Sequence, residues 1–88
     1  MKTIYKYELI IEDVQELMLP KGSEILCVQM QGKTPQLWAI VDPHAPKEPR
    51  MIEIYGTGHM LGDEPGEYIG TFQQYEGQLV WHVFERKP

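Results

Sequence analysis

The segment Gly56-Thr57-Gly58-His59 has the composition of an anion-binding turn. Glycine adopts positive φ without a steric penalty, so backbone N–H groups beside Gly56 and Gly58 can point into one concavity. Thr57 adds a hydroxyl, and His59 adds a donor that can become cationic. The segment predicts a receptor for a phosphate or carboxylate group. The alternative is a tight bend leaving a strand, because phosphate-binding loops known by sequence lead into a helix and no helix is indicated here.

Positive charge close to this segment would strengthen an anion site. The run HAPKEPR (44–50) holds Lys47 and Arg50, the densest positive charge in the middle of the chain. If the run folds over the glycine-rich segment, these cations join His44 and His59 in a local basic patch on an acidic protein. The alternative is that they are ordinary solvated loop residues.

Aromatic residues can add a stacking surface to such a site. Most aromatics in this chain alternate as core residues do, yet any that face outward can stack on a ring or anchor a partner. The predicted ligand-binding residues are Gly56, Thr57, Gly58, His59, Arg50, Lys47, Trp38 and Tyr55.

Metal and catalytic signatures are weak. The potential metal ligands are His44, His59, His82, Asp42 and Asp63, and no pair of them has the close spacing of a zinc motif. His82 lies within an apolar strand, where a hydrogen-bonded structural histidine is the commoner case. We therefore predict no metal site and no cofactor.

Nucleophilic catalysis needs a base within hydrogen-bond reach and a group that orients the base. The hydroxyl and thiol candidates Ser23, Cys27, Thr57 and Thr71 carry no surrounding signature of that kind. We expect a protein that is not an enzyme and has no catalytic residues.

The charge balance limits the class of partner. Eight basic and 13 acidic residues give a formal charge of -5, which argues against general nucleic-acid binding because phosphate contacts need a basic face. An acidic surface fits a basic protein partner. The alternative to a small anionic ligand is therefore an inhibitor that binds a host protein through the acidic run LGDEPGE, with Asp63, Glu64 and Glu67.

Period-two alternation predicts the elements that position these residues. Residues 3–11 alternate with one mostly apolar face, and the ELML run before Pro20 indicates a short second strand, with a helix there as the alternative. EILCVQMQ and QLWAIV form a predicted hairpin around GKTP. DPHAPKEPR (42–50) is predicted to be an extended loop, because its three prolines remove backbone donors.

The second half of the chain continues the pattern. MIEIY is a predicted strand, and YIGTFQQY and QLVWHVFE form a hairpin around Glu76-Gly77 with Phe72 and either Val80 or Trp81 facing the core. The predicted fold class is all-β, a small antiparallel β-sandwich or open barrel of about six or seven strands.

Length and composition complete the expectations. A chain of 88 residues predicts a single β domain over 1–88, too small for a large internal cavity, so a ligand site belongs on the surface or between the copies of a homo-oligomer. Cys27, in the apolar run ILCV, is predicted to be a buried thiol in a reducing compartment. The first residues are too polar for a signal peptide, and no apolar run is long enough to span a membrane. These features predict a soluble, cytoplasmic protein.

The chain resembles a family of short proteins common in phage and prophage genomes and described as a domain of unknown function. The resemblance lies in KYEL near the start, PKGSEILCVQMQG at 20–32, LWAIVDPHAPKEPR at 37–50, IYGTGH at 54–59 and YIGTFQ at 68–73. It implies a small phage accessory protein acting in the bacterial cytoplasm. Such proteins often counter host defences, by sequestering nucleotide immune signals or by covering a defence protein's surface.

Overall fold

Seven strands make up the computed structural model, which describes residues 1–87. Their order and bounds are β1 (Thr3–Glu8), β2 (Val14–Pro20), β3 (Glu24–Gln31), β4 (Thr34–Val41), β5 (Lys47–Gly56), β6 (Glu67–Gln74) and β7 (Leu79–Glu85). Each run of alternating residues identified in the sequence forms a strand, although several bounds differ. The ELML run belongs to β2 and is not helical.

The strands form two antiparallel sheets that face each other and do not close into a barrel. One sheet has the order β1-β4-β3, and the other has the order β2-β5-β7-β6. The predicted all-β class is therefore confirmed in its sandwich form. Across residues 1–87 there is no helix, and hence none that could cross a membrane.

The core lies between the sheets and follows the strand alternation. Its buried apolar residues are Leu9, Leu19, Val28, Leu37, Ala39, Val41, Ile52, Ile54, Phe72 and Val83. Cys27 is not among them, although the sequence predicted a buried thiol. A bulge between Ile25 and Cys27 shifts the register of β3, so Ile25 and Val28 pack on the core while Cys27 is only half-buried and lies opposite Trp38.

The two predicted hairpins form with different turns. β3 and β4 meet as predicted, with Gln31 paired to Thr34 and Gly32 at φ 63° in the turn. The β6–β7 turn is longer than the predicted Glu76-Gly77 pair, because Gln74 pairs with Leu79. In that register Phe72 lies opposite Trp81, so Trp81 and not Val80 packs on the core.

The first part of β5 corrects the sequence prediction that residues 42–50 form a loop. Lys47, Pro49 and Arg50 are strand residues, paired with Pro20, Met18 and Leu17 of β2. The pairing of β5 with β7 begins only at Ile52. Pro49 therefore lies where the strand has a neighbour on one side only, the position in which a residue without an N–H is tolerated in a sheet.

Candidate functional site

The glycine-rich segment 56–59 makes a tight bend at the end of β5. The Gly56 amide donates to Nδ1 of His59 at 3.0 Å, and the His59 amide donates to the Gly56 carbonyl at 3.0 Å. A Cβ on Gly56 would lie 2.8 Å from Cε1 of His59, and Gly58 has φ +90°. Gly58 thus suits the bend through its positive φ. A Cβ on Gly56 would displace the imidazole of His59, which lies edge-on to Trp81 at 6.3 Å.

The bend uses the backbone amides that were predicted to donate hydrogen bonds to an anion. Besides the amides of Gly56 and His59, the Thr57 amide donates to the Val80 carbonyl at 3.2 Å. Three of the four amides in the segment are therefore bonded within the chain. His59 accepts through Nδ1, so this nitrogen is not a donor to a ligand in the observed arrangement. The alternative prediction, a tight bend leaving the strand, describes the geometry.

A chain of side-chain hydrogen bonds crosses the outer face of the four-stranded sheet at this point. Nε2 of His82 lies 2.7 Å from the Thr57 hydroxyl, and Nδ1 lies 3.0 Å from the Thr71 hydroxyl. The Thr71 hydroxyl in turn lies 2.6 Å from the Tyr68 hydroxyl. The prediction that His82 is a hydrogen-bonded sheet residue is confirmed.

Thr57 and His82 have the outline of a nucleophile and its base. In hydrolases of that design a carboxylate orients the imidazole and stabilises the imidazolium that forms. Here the second ring nitrogen of His82 meets the neutral hydroxyl of Thr71. The arrangement holds the ring in place, but it provides no negative charge for a catalytic imidazolium.

Three aromatic rings lie beside this row of hydrogen-bonded side chains. Phe84 is on β7, which runs between β5 and β6. The ring of Tyr55 on β5 makes an angle of 74° with the Phe84 ring at a centroid distance of 5.9 Å, and Tyr68 on β6 makes an angle of 65° at 5.5 Å. We call Tyr55, Phe84 and Tyr68 the aromatic box. It is a half-exposed aromatic surface in which both tyrosine rings are steeply inclined to the Phe84 ring.

The aromatic box and the glycine-rich segment border one hollow of ≈ 220 Å³. Its lining residues are Tyr55, Gly56, Thr57, Gly58, His59, Leu61, Tyr68, His82 and Phe84. Five of the eight residues predicted from the sequence to bind a ligand are therefore brought together. The volume is below the roughly 300–1,000 Å³ of typical small-molecule pockets.

A buried carboxylate supports one side of the aromatic box. Glu53 is 8% exposed, and its Oε2 accepts hydrogen bonds from Arg86 at 2.8 Å and from the Tyr55 hydroxyl at 3.0 Å. The bond from Arg86, helped by the one from Tyr55, lowers the pKa of Glu53 in spite of its burial. Burial, followed by the bond to this carboxylate, raises the pKa of Tyr55.

The other three predicted ligand residues lie elsewhere. Arg50 precedes Gly56 by six positions along β5, about 20 Å, and Lys47 by nine, about 30 Å. Trp38 is on the other sheet, on the face opposite to its buried neighbours Leu37 and Ala39. The condition for a cationic patch over the glycine-rich segment is not met by Lys47 and Arg50, because the proline-containing run that carries them is part of an extended strand.

The side chain of Arg50 is bonded to other residues of the protein. Its guanidinium forms a bidentate ion pair with Glu85 of β7, in which Nη2 lies 2.9 Å from Oε1. Nη1 also donates to the Ser23 carbonyl at 2.9 Å, next to β3 of the other sheet. The hydrogen bond to Glu85 raises the pKa of Arg50. Arg50 therefore joins the two sheets, and this role explains its charge without a ligand.

The acidic run divides between two surfaces. Asp63 and Glu64 are exposed in the loop of residues 57–66, whose two ends enter the sheet beside the hollow. Glu67 instead lines two other hollows together with Arg50 and Glu85. The loop also exposes apolar side chains, Met60 at 90% and Leu61 at 42%. Leu61 lines the hollow, and the acidic residues Asp63 and Glu64 follow it two and three positions later in the same loop.

Tyr68, Thr71, Phe84 and His82 were not predicted as site residues. His82 and Phe84 have the same parity along QLVWHVFE, which places them on one face of the strand. That face is joined to Tyr68 only through the register of β6 and β7, and this register depends on a bulge between Tyr68 and Gly70. The parity was a usable signal, whereas the bulge was not visible in the sequence.

No group of three or more His, Cys, Asp or Glu residues within positions 1–87 is arranged to hold a metal ion.

A family model described as "Domain of unknown function (DUF7352)" matches residues 1–88. No curated protein and no solved structure matches the chain.

Proposed function

The chain belongs to the DUF7352 family over residues 1–88, and we propose from the residues on its surface that it is a non-enzymatic protein that binds a basic protein partner. The binding surface is the aromatic box, the hollow beside it and the adjoining loop with Asp63 and Glu64. The observation that carries the proposal is an exposed aromatic surface beside a hollow that Leu61 also lines, with Asp63 and Glu64 exposed further along the same loop.

The composition of this surface is that of a protein interface. Aromatic residues and methionine are enriched at interfaces, where large rings in partly formed pockets supply most of the binding energy. Tyr68 is 56% exposed and Met60 is 90% exposed, so both are available to a partner. The carboxylates of Asp63 and Glu64 would steer a basic surface towards them.

The size of the hollow favours one side chain of a protein over a whole small molecule. At ≈ 220 Å³ it is open to solvent and shallow, and a protein partner would contact the surrounding surface as well. The amides of Gly56, Thr57 and His59 are already hydrogen-bonded, which leaves an anionic ligand few donors.

The biological setting belongs to the same proposal. The resemblance to phage and prophage proteins supports a phage accessory role. The form of this role that fits a non-enzymatic binding surface is an inhibitor of a host defence protein in the bacterial cytoplasm.

We also propose that the chain forms a homo-oligomer. Native mass spectrometry of protein purified from bacteria measures the subunit number, and a strictly monomeric species at micromolar concentration contradicts the oligomer.

Affinity purification from bacterial cells tests the protein-binding proposal. Tagged wild type and the variants Tyr68→Leu and Tyr75→Leu are compared by quantitative mass spectrometry. Tyr75 is the matched control, since it is 69% exposed and lies in the turn at the far end of β6. We expect a basic protein enriched by the wild type and by Tyr75→Leu, reduced with Tyr68→Leu, and recovered less well at high salt.

The decisive step is reconstitution with the purified partner. Asp63→Asn combined with Glu64→Gln is expected to slow association and flatten its salt dependence, whereas Tyr68→Leu speeds dissociation. A partner whose binding is unchanged by all three substitutions uses another surface and refutes the proposal.

A small anionic ligand such as a nucleotide signal is the second candidate. The observation that favours it is the presence of three aromatic rings beside the imidazole of His59, on which a base can stack while a phosphate approaches the bend. Calorimetry against a panel of linear and cyclic nucleotides tests it, with His59→Gln as the variant. Flat traces with folded protein rule out sequestration.

A further inference from the structure

We infer that the aromatic box receives an arginine side chain of the basic partner. The inference deepens the proposed function and rests on it for the identity of the partner as a protein. The affinity of the box for a guanidinium group can nevertheless be measured without that protein.

The geometry of the three rings suits a flat cation. The two tyrosine rings stand at 74° and 65° to the Phe84 ring, so a group entering the hollow meets aromatic surface on more than one side. Aromatic faces carry partial negative charge and attract a cation within about 6 Å of the ring centroid. A guanidinium group is planar and weakly hydrated, and it stacks on rings more readily than an ammonium group.

The rim of the box supplies a hydrogen-bond acceptor for a guanidinium group. The Tyr68 hydroxyl lies 2.6 Å from the Thr71 hydroxyl, and this contact fixes its oxygen at the edge of the hollow. A phenolic oxygen accepts as well as donates. The five N–H groups of a guanidinium can use such an acceptor while the plane of the group lies on Phe84.

The adjoining loop is acidic, and a cation, Arg86, lies near the box. Asp63 and Glu64 are exposed on the adjoining loop, and the whole chain carries -5. Arg86 lies on the Tyr55 side, where it is paired with Glu53. Arg86 neutralises Glu53 and repels a second guanidinium, so Arg86→Gln is expected to strengthen binding of an external arginine at low salt.

NMR titration of the labelled protein tests the inference with two probes of equal shape. N-acetyl-arginine amide is positively charged, and N-acetyl-citrulline amide is its neutral isostere. We expect the arginine probe to shift the ring signals of Tyr68 and Phe84 with millimolar affinity and to bind about 2–5-fold more tightly than the citrulline probe. Equal affinities overturn the inference.

Variants separate the box from general attraction to an acidic protein. Phe84→Leu keeps an apolar side chain but removes the ring face, and it should abolish the preference for arginine, while Tyr75→Leu should leave it unchanged. Tyr68→Leu, which changes an exposed ring, serves if Phe84→Leu unfolds. Shifts that persist in both box variants, or tighter binding of AMP at the same signals, overturn the inference.

The results of this titration and of the partner search are distinguishable. Arginine binding at the box without a captured protein leaves the inference standing and refutes the proposed function. A protein captured through Tyr68 without any preference for arginine does the opposite.

Discussion

Thr57 and His82 are joined side chain to side chain, with the hydroxyl oxygen 2.7 Å from Nε2. Because Nδ1 of the same ring meets Thr71, a neutral His82 donates on one side and accepts on the other. The imidazole thereby ties the loop that follows β5 to both β7 and β6. The shape of the hollow depends on this tie, since Thr57 and His82 both line it.

Thr57→Val removes the hydroxyl and keeps the shape of the side chain. We expect the free energy of unfolding to fall by about 0.5–1.5 kcal/mol, the usual net value of one hydrogen bond. Amide hydrogen exchange at residues 57–59 should accelerate more than exchange in β3, because the loop opens locally. Thr3→Val, at an exposed position of β1, is the control. Unchanged loop exchange would show that the backbone bonds alone hold the bend.

Arg50 and Glu85 give the second prediction. Arg50→Met removes the ion pair and the bond to the Ser23 carbonyl, and it leaves Glu85 without its partner at 16% exposure. We expect a loss of about 1–3 kcal/mol, allowing for partial screening by solvent. Denaturant unfolding measures the loss, with Lys47→Met on the same strand as the control. Equal stability of the two variants would contradict a structural role for Arg50.

The alternation of the strands was enough to predict an all-β sandwich or open barrel, and two local features explain what it did not predict. Pro49 indicated a loop, yet it lies in the part of β5 that has only β2 as a neighbour, and sequence alone does not say where a neighbour ends. The bulge before Cys27 moved that residue out of the core. The second error is a displacement in register, which period-two patterns cannot detect beyond the first bulge.

The candidate site was predicted in part for the same reason. Tyr55 and residues 56–59 are consecutive, so they had to lie together. Tyr68 and Phe84 lie beside them because β7 pairs with both β5 and β6. Arg50 does not, because it lies about 20 Å from Gly56 along the extended strand β5. Contacts within a segment could be inferred from sequence, whereas contacts between strands needed the register.

Glu53 gives a prediction about pH. Its pKa is lowered in the folded protein, chiefly by the hydrogen bond from Arg86, so the unfolded chain binds a proton at a higher pH than the folded one. The stabilisation is present above the unfolded value of about 4.3 and is lost as pH falls through the folded value. Urea unfolding of wild type and Glu53→Gln from pH 7 to pH 3 should give stability curves that converge below about pH 4. Parallel curves would exclude this linkage.

Two glycines of the loop give the last prediction because they differ in the space around them. A Cβ on Gly66 would lie 1.9 Å from the Glu85 carbonyl oxygen, whereas a Cβ on Gly62 meets nothing within 4 Å. Since backbone atoms of β7 cannot move aside as a flexible side chain can, Gly66→Ala must displace the end of the loop. We expect it to cost about 1–3 kcal/mol of unfolding free energy.

Gly62→Ala is the matched control for this effect. It restricts the unfolded chain without a clash, so it is expected to be neutral or to stabilise the protein by up to about 1 kcal/mol. Thermal and denaturant unfolding of the two variants measure the contrast. If they destabilise the protein equally, the conformational freedom of the loop matters more than its packing on β7, and the close contact between Gly66 and Glu85 does not hold the loop beside the aromatic box.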